Sequence, residues 1–305
     1  MGIRRLYTNS INMRSTFFCV LVLCSLASCK KDEGSPDGPK VNFIFKFDST
    51  QVRLNGQGIP ASVPAGHKGQ SPRFNSMSAH YLELTGNALT LPGAGQVLYK
   101  APEVTTGGAN AIDFSRAKFA GNNQVFLSVP LDQLAAGTYN YLRVSLAYQN
   151  YNIWMRASVA AQTFTLDATV ASFIGFNTYV SSYKIKDSTV TENANKLQGY
   201  WAFESSLAGV GGFVSKGQAP PGATTVPNPL FASSPIPPGS CLVTGQFASP
   251  LVITGTETSD INIIVSLSTN KSFEWIDADG NATYDPLAGD QVVDMGIRGM
   301  IPTKQ

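Results

Sequence analysis

The stretch Val41-Asn-Phe-Ile-Phe-Lys-Phe-Asp48 puts Val41, Phe43, Phe45 and Phe47 at every second position. Side chains alternate between the two faces of an extended chain, so this period gathers a valine and three phenylalanines on one face. The pattern predicts a half-buried strand rather than a helix. Runs of the same kind recur at 80–84, 96–99, 125–131, 139–148, 162–166, 173–185, 199–203, 242–247, 251–254 and 261–267, with clusters of Gly, Pro, Asn and Thr between them. No long stretch keeps a helical period, and Leu131-Asp-Gln-Leu-Ala135 offers at most one turn. Many short strands with frequent turn signals predict an all-β fold, one or more antiparallel β-sandwiches over residues 41–305. Residues 217–239, with Pro220-Pro221 and Pro237-Pro238, break the pattern. Proline removes a ladder donor, so this Pro-rich segment is expected as an exposed loop or an inter-strand crossover, either an insertion or a subdomain boundary.

The head of the chain reads differently. Arg4, Arg5 and Arg14 precede the apolar run Thr16-Phe-Phe-Cys-Val-Leu-Val-Leu-Cys-Ser-Leu-Ala-Ser28. A run of that length is too short for a spanning helix, which needs about 20 residues. A basic lead, a short apolar run and small residues at its end describe a secretory signal over residues 1–28. Leu26-Ala27-Ser28-Cys29 resembles the bacterial lipoprotein box, in which the cysteine thiol takes a diacylglyceryl group. Lys30-Lys31-Asp32-Glu33 resembles the surface-export signal of lipoproteins in the Bacteroidota. The resemblance implies lipidation at Cys29, a tether over residues 29–40, and an outer-membrane protein anchored through its lipid and exposed at the cell surface. Gly34-Ser-Pro-Asp-Gly-Pro-Lys40 suits a tether, since these residues resist regular structure. Of four cysteines, Cys19 and Cys24 lie in the signal and Cys29 is the acceptor, so Cys241 stands alone in the body and no internal disulfide is expected. The net charge is +2 and no Lys/Arg cluster stands out. Nucleic acid is therefore not an expected partner, because phosphate neutralisation needs grouped cations.

The unit Val129-Pro-Leu-Asp-Gln-Leu-Ala-Ala-Gly-Thr-Tyr139, followed by Tyr141-Leu-Arg-Val-Ser-Leu146, resembles a segment of several Bacteroidota lipoprotein β-sandwiches. In that unit Tyr139 is expected to pack its ring and keep its hydroxyl in water. The phenylalanine strand together with this unit is also similar to the periplasmic copper proteins that partner methanobactin. Copper sites favour His, Cys or Met, and the body holds two histidines, His67 in an expected loop and His80 on an expected strand.

Near the C-terminus, residues 274–296 hold five aspartates and a glutamate in a chain that is 14% charged. Asp277-Ala-Asp-Gly-Asn-Ala-Thr-Tyr-Asp285 places oxygen-bearing side chains at alternate positions. Calcium takes roughly six to eight oxygens. This spacing therefore marks Asp277, Asp279, Asn281, Thr283, Asp285 and Asp290 as candidate calcium ligands. Asp-Gly and Asn also favour turns, so an acidic hairpin without metal is the competing expectation. The rings of Tyr148, Tyr151 and Trp154, and of Tyr200 and Trp201, stand among amides and form a candidate glycan- or protein-binding set, against the plainer reading that they fill the sandwich. Asp48-Ser49-Thr50 and Asp187-Ser188-Thr189 resemble the Bacteroidota O-glycosylation pattern, with Ser49 and Ser188 as acceptors.

Catalysis finds little support. There is no G-x-S-x-G, and two histidines leave a Ser-His-Asp relay without material. Glu83, Glu103, Glu204 and Asp113 share no motif that would pair them for glycoside hydrolysis. The expectation is a non-catalytic, lipid-anchored cell-envelope binding or assembly protein with a structural calcium loop. A copper-type metal carrier is one alternative and requires His67 beside His80. A divergent glycoside hydrolase is the other and requires two carboxylates facing each other across a cleft.

Overall fold

The computed structural model describes residues 38–305 apart from 160, 161, 210, 231, 233, 234, 237 and 238. The signal segment, Cys29 and most of the tether lie outside the described residues. The strands are β1 (Lys40–Asp48), β2 (His67–Gln70), β3 (Arg73–Thr85), β4 (Gln96–Lys100), β5 (Glu103–Val104), β6 (Ala111–Asp113), β7 (Phe119–Ala120), β8 (Gln124–Pro130), β9 (Gly137–Val159) and β10 (Gln162–Phe173). They continue as β11 (Asn177–Lys184), β12 (Thr189–Leu197), β13 (Tyr200–Leu207), β14 (Gly211–Gln218), β15 (Leu242–Ile253), β16 (Ile261–Ser268), β17 (Phe273–Ile276), β18 (Gln291–Asp294) and β19 (Met300–Lys304). Single 3-10 turns stand at Phe114–Arg116 and at Leu131–Gln133, the second where one turn is expected. The fold is all-β.

The alternation of β1 is realised: Val41, Phe43 and Phe45 are fully buried, and Phe47 is half-buried. β1 lies between β8, antiparallel, and β16, parallel, with β19 beyond β16. This four-stranded sheet packs its apolar face against Leu82 and Leu84 of β3, Leu142, Val144 and Leu146 of β9, and Val243 of β15. The β1–β16 pair and the β6–β11 pair are parallel, exceptions within an otherwise antiparallel set of sheets.

β9 is the spine. It pairs with β10, β3 and β15, inside an eight-stranded sheet ordered β14-β13-β10-β9-β3-β4, with β15 and β7 added off that path. Its stretch 142–150 is buried on both faces, whereas from Tyr151 to Ser158 buried residues alternate with more open ones. Its second half packs with β10 against the three-stranded sheet β18-β17-β2, through Tyr151, Ile153, Phe273 and Trp275. A third cluster joins Tyr148, Phe173 and Tyr200 to Val180 and Tyr183 of the sheet β12-β11-β6-β5. The rings Phe47, Phe74, Tyr151 and Phe273 form a chain from the first cluster to the second, with centroids 5.1, 5.0 and 6.5 Å apart. Residues Gly38–Gln305 make one compact unit.

Several local expectations are corrected. The run 173–185 is two strands, because the chain leaves β10 at Phe173 and turns through Gly175, where a Cβ would lie 2.7 Å from Ile112 Cδ1. His67 begins β2 and pairs with Ile276 rather than lying in a loop. The segment 217–239 is the expected crossover, from β14 to β15, but its described residues are only partly exposed. Val226, Asn228 and Ile236 are 0%, 0% and 1% exposed, and a bridge joins Val226 to Ser240. Prolines remove donors without preventing burial, and here bonds such as that from Met295 N–H, just beyond β18, to the Ala223 carbonyl, 2.6 Å, satisfy the backbone. Tyr139 packs its ring as expected, but its hydroxyl donates to the Ala135 carbonyl at 2.8 Å rather than facing water.

Candidate functional site

The acidic loop is the connection between β17 and β18. Ile276 pairs with Gln291, so Asp277 and Asp290 leave the two ends of that ladder side by side. Asp279 folds back toward them through Gly280, whose φ of +75° is open to glycine without steric cost. One carboxylate oxygen from each of Asp277, Asp279 and Asp290 lies within 4.8 Å of the others, the one group of this kind among the described residues.

Each carboxylate is anchored by backbone donors. Asp290 accepts from Ala278 N–H at 2.8 Å through Oδ1, and from Asp285 N–H at 2.7 Å through Oδ2. Asp277 Oδ2 accepts from Ala282 N–H at 3.1 Å, while its Oδ1 is buried with no hydrogen-bond partner. Asp279 accepts from Asn281 N–H at 3.1 Å and from its side-chain amide at 2.5 Å. The other expected ligands do different work. Asn281 Oδ1 accepts from Thr283 N–H at 2.7 Å, which makes both residues parts of the turn. Asp285 is 3% exposed and its Oδ1 caps the next turn, accepting from Leu287 and Ala288 N–H at 3.1 and 3.2 Å. It does not join the group of three. The loop can gather negative oxygens at one point, and one oxygen of these carboxylates, Asp277 Oδ1, lacks any donor. Asx turns fix the remaining positions.

Alternate spacing pointed to Asp277 and Asp279. What brings Asp290 to them is the return of β18, which no local pattern encodes.

The aromatic set separates into core and surface. Tyr148, Tyr151 and Tyr200 are 4%, 0% and 7% exposed and pack the sandwich clusters, so they offer no ring to a ligand. Burial pushes the Tyr183 phenol up to about 12, and its hydroxyl donates to Tyr200 Oη. Trp154 is 50% exposed on β9, with the Arg73 guanidinium 4.5 Å from its ring centre. Gln70 fastens Trp154 through reciprocal bonds of 2.8 and 2.9 Å to its backbone. Trp201 is half-buried and lies over Gly217, whose added Cβ would stand 2.9 Å from the indole.

The two histidines go separate ways. His67 Nδ1 lies 2.6 Å from Glu274 Oε1, and Glu274 is also paired with buried Arg53. His80 Nε2 lies 2.9 Å from Glu103 and its ring packs on Phe176. Burial lowers the His80 pKa. Cys241 is buried beside the Ser145 hydroxyl. The carboxylates considered for hydrolysis are likewise engaged in structural contacts. Glu83 pairs with fully buried Arg143 at 3.3 Å, and Glu204 takes the N–H groups of Lys186, Asp187 and Ser188. Glu103 holds His80, Lys100 and Asn110, and Asp113 caps the first 3-10 turn. Ser49 is exposed at the end of β1, whereas the Ser188 hydroxyl donates to Glu204 at 3.1 Å.

Compared with protein-family models, with curated proteins and with solved structures, the chain matches none.

Proposed function

We propose that this chain is a non-catalytic, lipid-anchored binding protein of the cell envelope, whose acidic loop holds one calcium ion as a structural brace. The observation that carries the metal reading is the convergence of Asp277, Asp279 and Asp290 within 4.8 Å, with Asp277 Oδ1 buried and unpartnered. Carboxylates this close repel one another unless a cation offsets them. Asp290 would brace β18, Asp277 would brace β17, and backbone carbonyls and water would complete the oxygen shell that calcium requires. The anchoring reading rests on the box at Leu26–Cys29 and the charged residues after it. Two acyl chains hold a protein at a membrane where a single chain is marginal.

The non-catalytic reading draws on the carboxylates. Glu83, Glu103, Glu204 and Asp113 each satisfy a neighbouring cation, amide or turn. Both histidines are committed to separate glutamates, which leaves the copper reading without a histidine cluster among the described residues. Thermal melts in calcium and in chelator test the brace. A rise of several degrees with calcium is expected, and coincident melts at millimolar calcium would mean that the loop is an acidic turn only.

A further inference from the structure

Toward β13 and β14, one face of the eight-stranded sheet is only partly covered by core packing. On β13, Tyr200 and Ala202 point into the third cluster, so Trp201 and Phe203 point the other way. The register continues the second face across the sheet: Val170 of β10, Phe203 of β13 and Ser215 of β14 share one rung. Gly217, opposite Trp201, carries no side chain, and the indole lies down across the strand there. Above this floor stand Phe273 of β17, then Tyr284 and Leu287 of the acidic loop. Between floor and roof is a cavity of about 400 Å³.

The space is open to solvent on one side, past Phe213 and Leu287. A space this size falls in the range that small-molecule sites occupy. Its lining is aromatic and aliphatic, and contains no Asp, Glu, Lys, Arg or His. Its polar side chains are few. Ser215 is one, and the Gln218 side-chain amide already donates to the Gln198 carbonyl at 2.7 Å. A sugar would leave most of its hydroxyls unpaired here, and a carboxylate or phosphate would meet no cation. Phe213 and Leu287, 41% and 69% exposed, stand at the mouth and give a way in.

We infer that this cavity binds an uncharged, largely hydrocarbon small molecule, held between the Trp201–Phe203–Phe213 floor and the Phe273–Tyr284–Leu287 roof. This deepens the binding-protein reading and rests on it, since it names the ligand class that the protein takes.

The test uses the chain from Lys30 to Gln305, which contains the compact unit Gly38–Gln305 and carries neither the apolar run 16–28 nor an acyl group, and the uncharged dye Nile red as probe. Saturable one-to-one binding with blue-shifted emission is expected. Ser215→Arg, at an exposed position on β14, and Leu287→Asp, at the mouth, each put an unpaired charge against the apolar lining. Each is expected to weaken binding roughly tenfold or more. Dodecanol is expected to displace the dye, and dodecanoate and maltohexaose are not. No saturable binding, or undiminished binding in both variants with unchanged melts, overturns the inference. Displacement by dodecanoate or by maltohexaose at least as readily as by dodecanol overturns the ligand class. Should Ser215→Arg fail to fold, Leu287→Asp alone decides. The two readings fail separately. Loss of dye binding with an intact calcium shift removes the cavity ligand only, and dye binding without a calcium shift removes the brace only.

Discussion

Asp279→Asn separates a calcium brace from a bare acidic turn, because the two readings agree in chelator and differ in calcium. The substitution keeps an acceptor for the Asn281 N–H that Asp279 holds at 3.1 Å, so the turn itself survives. What it removes is one of three carboxylate charges. At the 4.8 Å limit of their separation, two unit charges repel by roughly 0.9 kcal/mol in a water-like dielectric, which is appropriate to exposed Asp279. Two such repulsions are relieved, against Asp277 and Asp290, and salt with a Debye length of about 8 Å trims the sum to about 1 kcal/mol. In chelator, therefore, the variant should be the more stable protein by that amount, an upward shift of about 2 °C. In calcium at 100 times the wild-type dissociation constant, the wild type gains about 2.7 kcal/mol. A variant that binds tenfold more weakly gains only about 1.4 kcal/mol, which erases its lead. Differential scanning calorimetry in both buffers reads this, with exposed Asp132→Ala as a control expected to behave as wild type in each. Equal calcium shifts in wild type and Asp279→Asn, or no shift in either, refute the reasoning.

Other expectations follow from the buried charges and from the anchor. Arg143 and Glu83 are both 0% exposed and paired at 3.3 Å. Arg143→Leu leaves a buried carboxylate facing no cation and should cost about 3–5 kcal/mol in urea unfolding, with the Glu83→Leu/Arg143→Leu double variant recovering much of the loss. Burial raises the Asp294 carboxyl from 3.8 to about 6 despite the Arg298 pairing. Between those values the folded state keeps a proton that the unfolded chain has released, so this group's contribution to stability falls as pH climbs through that window. Asp294→Asn should flatten that part of the pH–stability curve, and an unchanged slope would contradict it. Cys29→Ala should abolish metabolic labelling by a clickable palmitate and leave the protein soluble or with its signal uncleaved, and persistent label on the variant would place the acyl group elsewhere.

How much of this was legible depends on which faces of a strand meet water. β1 announced itself because one face is core and the other is half-open, so its alternation is complete. The sequence marks β9 only to Tyr148, because the alternation of Leu142, Val144 and Leu146 with Arg143 and Ser145 lapses at Ala147 and the polar pair Gln149-Asn150 follows, although all of 142–150 is buried. β12 and β14 went unread for the opposite reason. Thr189–Leu197 is polar on both faces, and Gly211–Gln218 is an exposed edge strand containing three glycines, so neither carries a hydrophobic signal. β2, β17 and β18 are four residues each and exist through one another. At the site, the alternation over Asp277–Asp285 was visible, but local spacing could not show that Asp285 turns inward to cap its own chain. The cavity was less legible still, because its floor is written across four strands whose register only the sheet defines. Trp201 was the one residue of that floor singled out from the sequence, and it was read as a partner of Tyr200, which faces the opposite side.

The acidic loop and the apolar cavity are two sides of one segment. The Tyr284 carbonyl accepts from Arg156 N–H at 2.7 Å, which fastens the loop to β9. The Tyr284 ring stands 5.0 Å from Phe273 and 5.7 Å from Trp275, which fastens it to β17. Its next neighbour, Asp285, shares a turn with Asp290, and Pro286 and Leu287 then run along the cavity. A cation that draws Asp277, Asp279 and Asp290 together therefore also narrows the positions open to the roof. A site ordered in advance binds more tightly, because less ordering remains to be done when the ligand arrives. The coupling has to be reciprocal: whatever factor calcium adds to the affinity for an uncharged ligand, that ligand adds to the affinity for calcium. Titrating Nile red at saturating calcium and in chelator, then calcium with and without the dye, gives the two factors independently. Equal factors above one place the brace and the cavity in a single two-state segment. A factor of one in both directions means that Arg156 and Phe273 hold Tyr284 in place without help from the loop, and that the metal serves the β17–β18 hairpin alone.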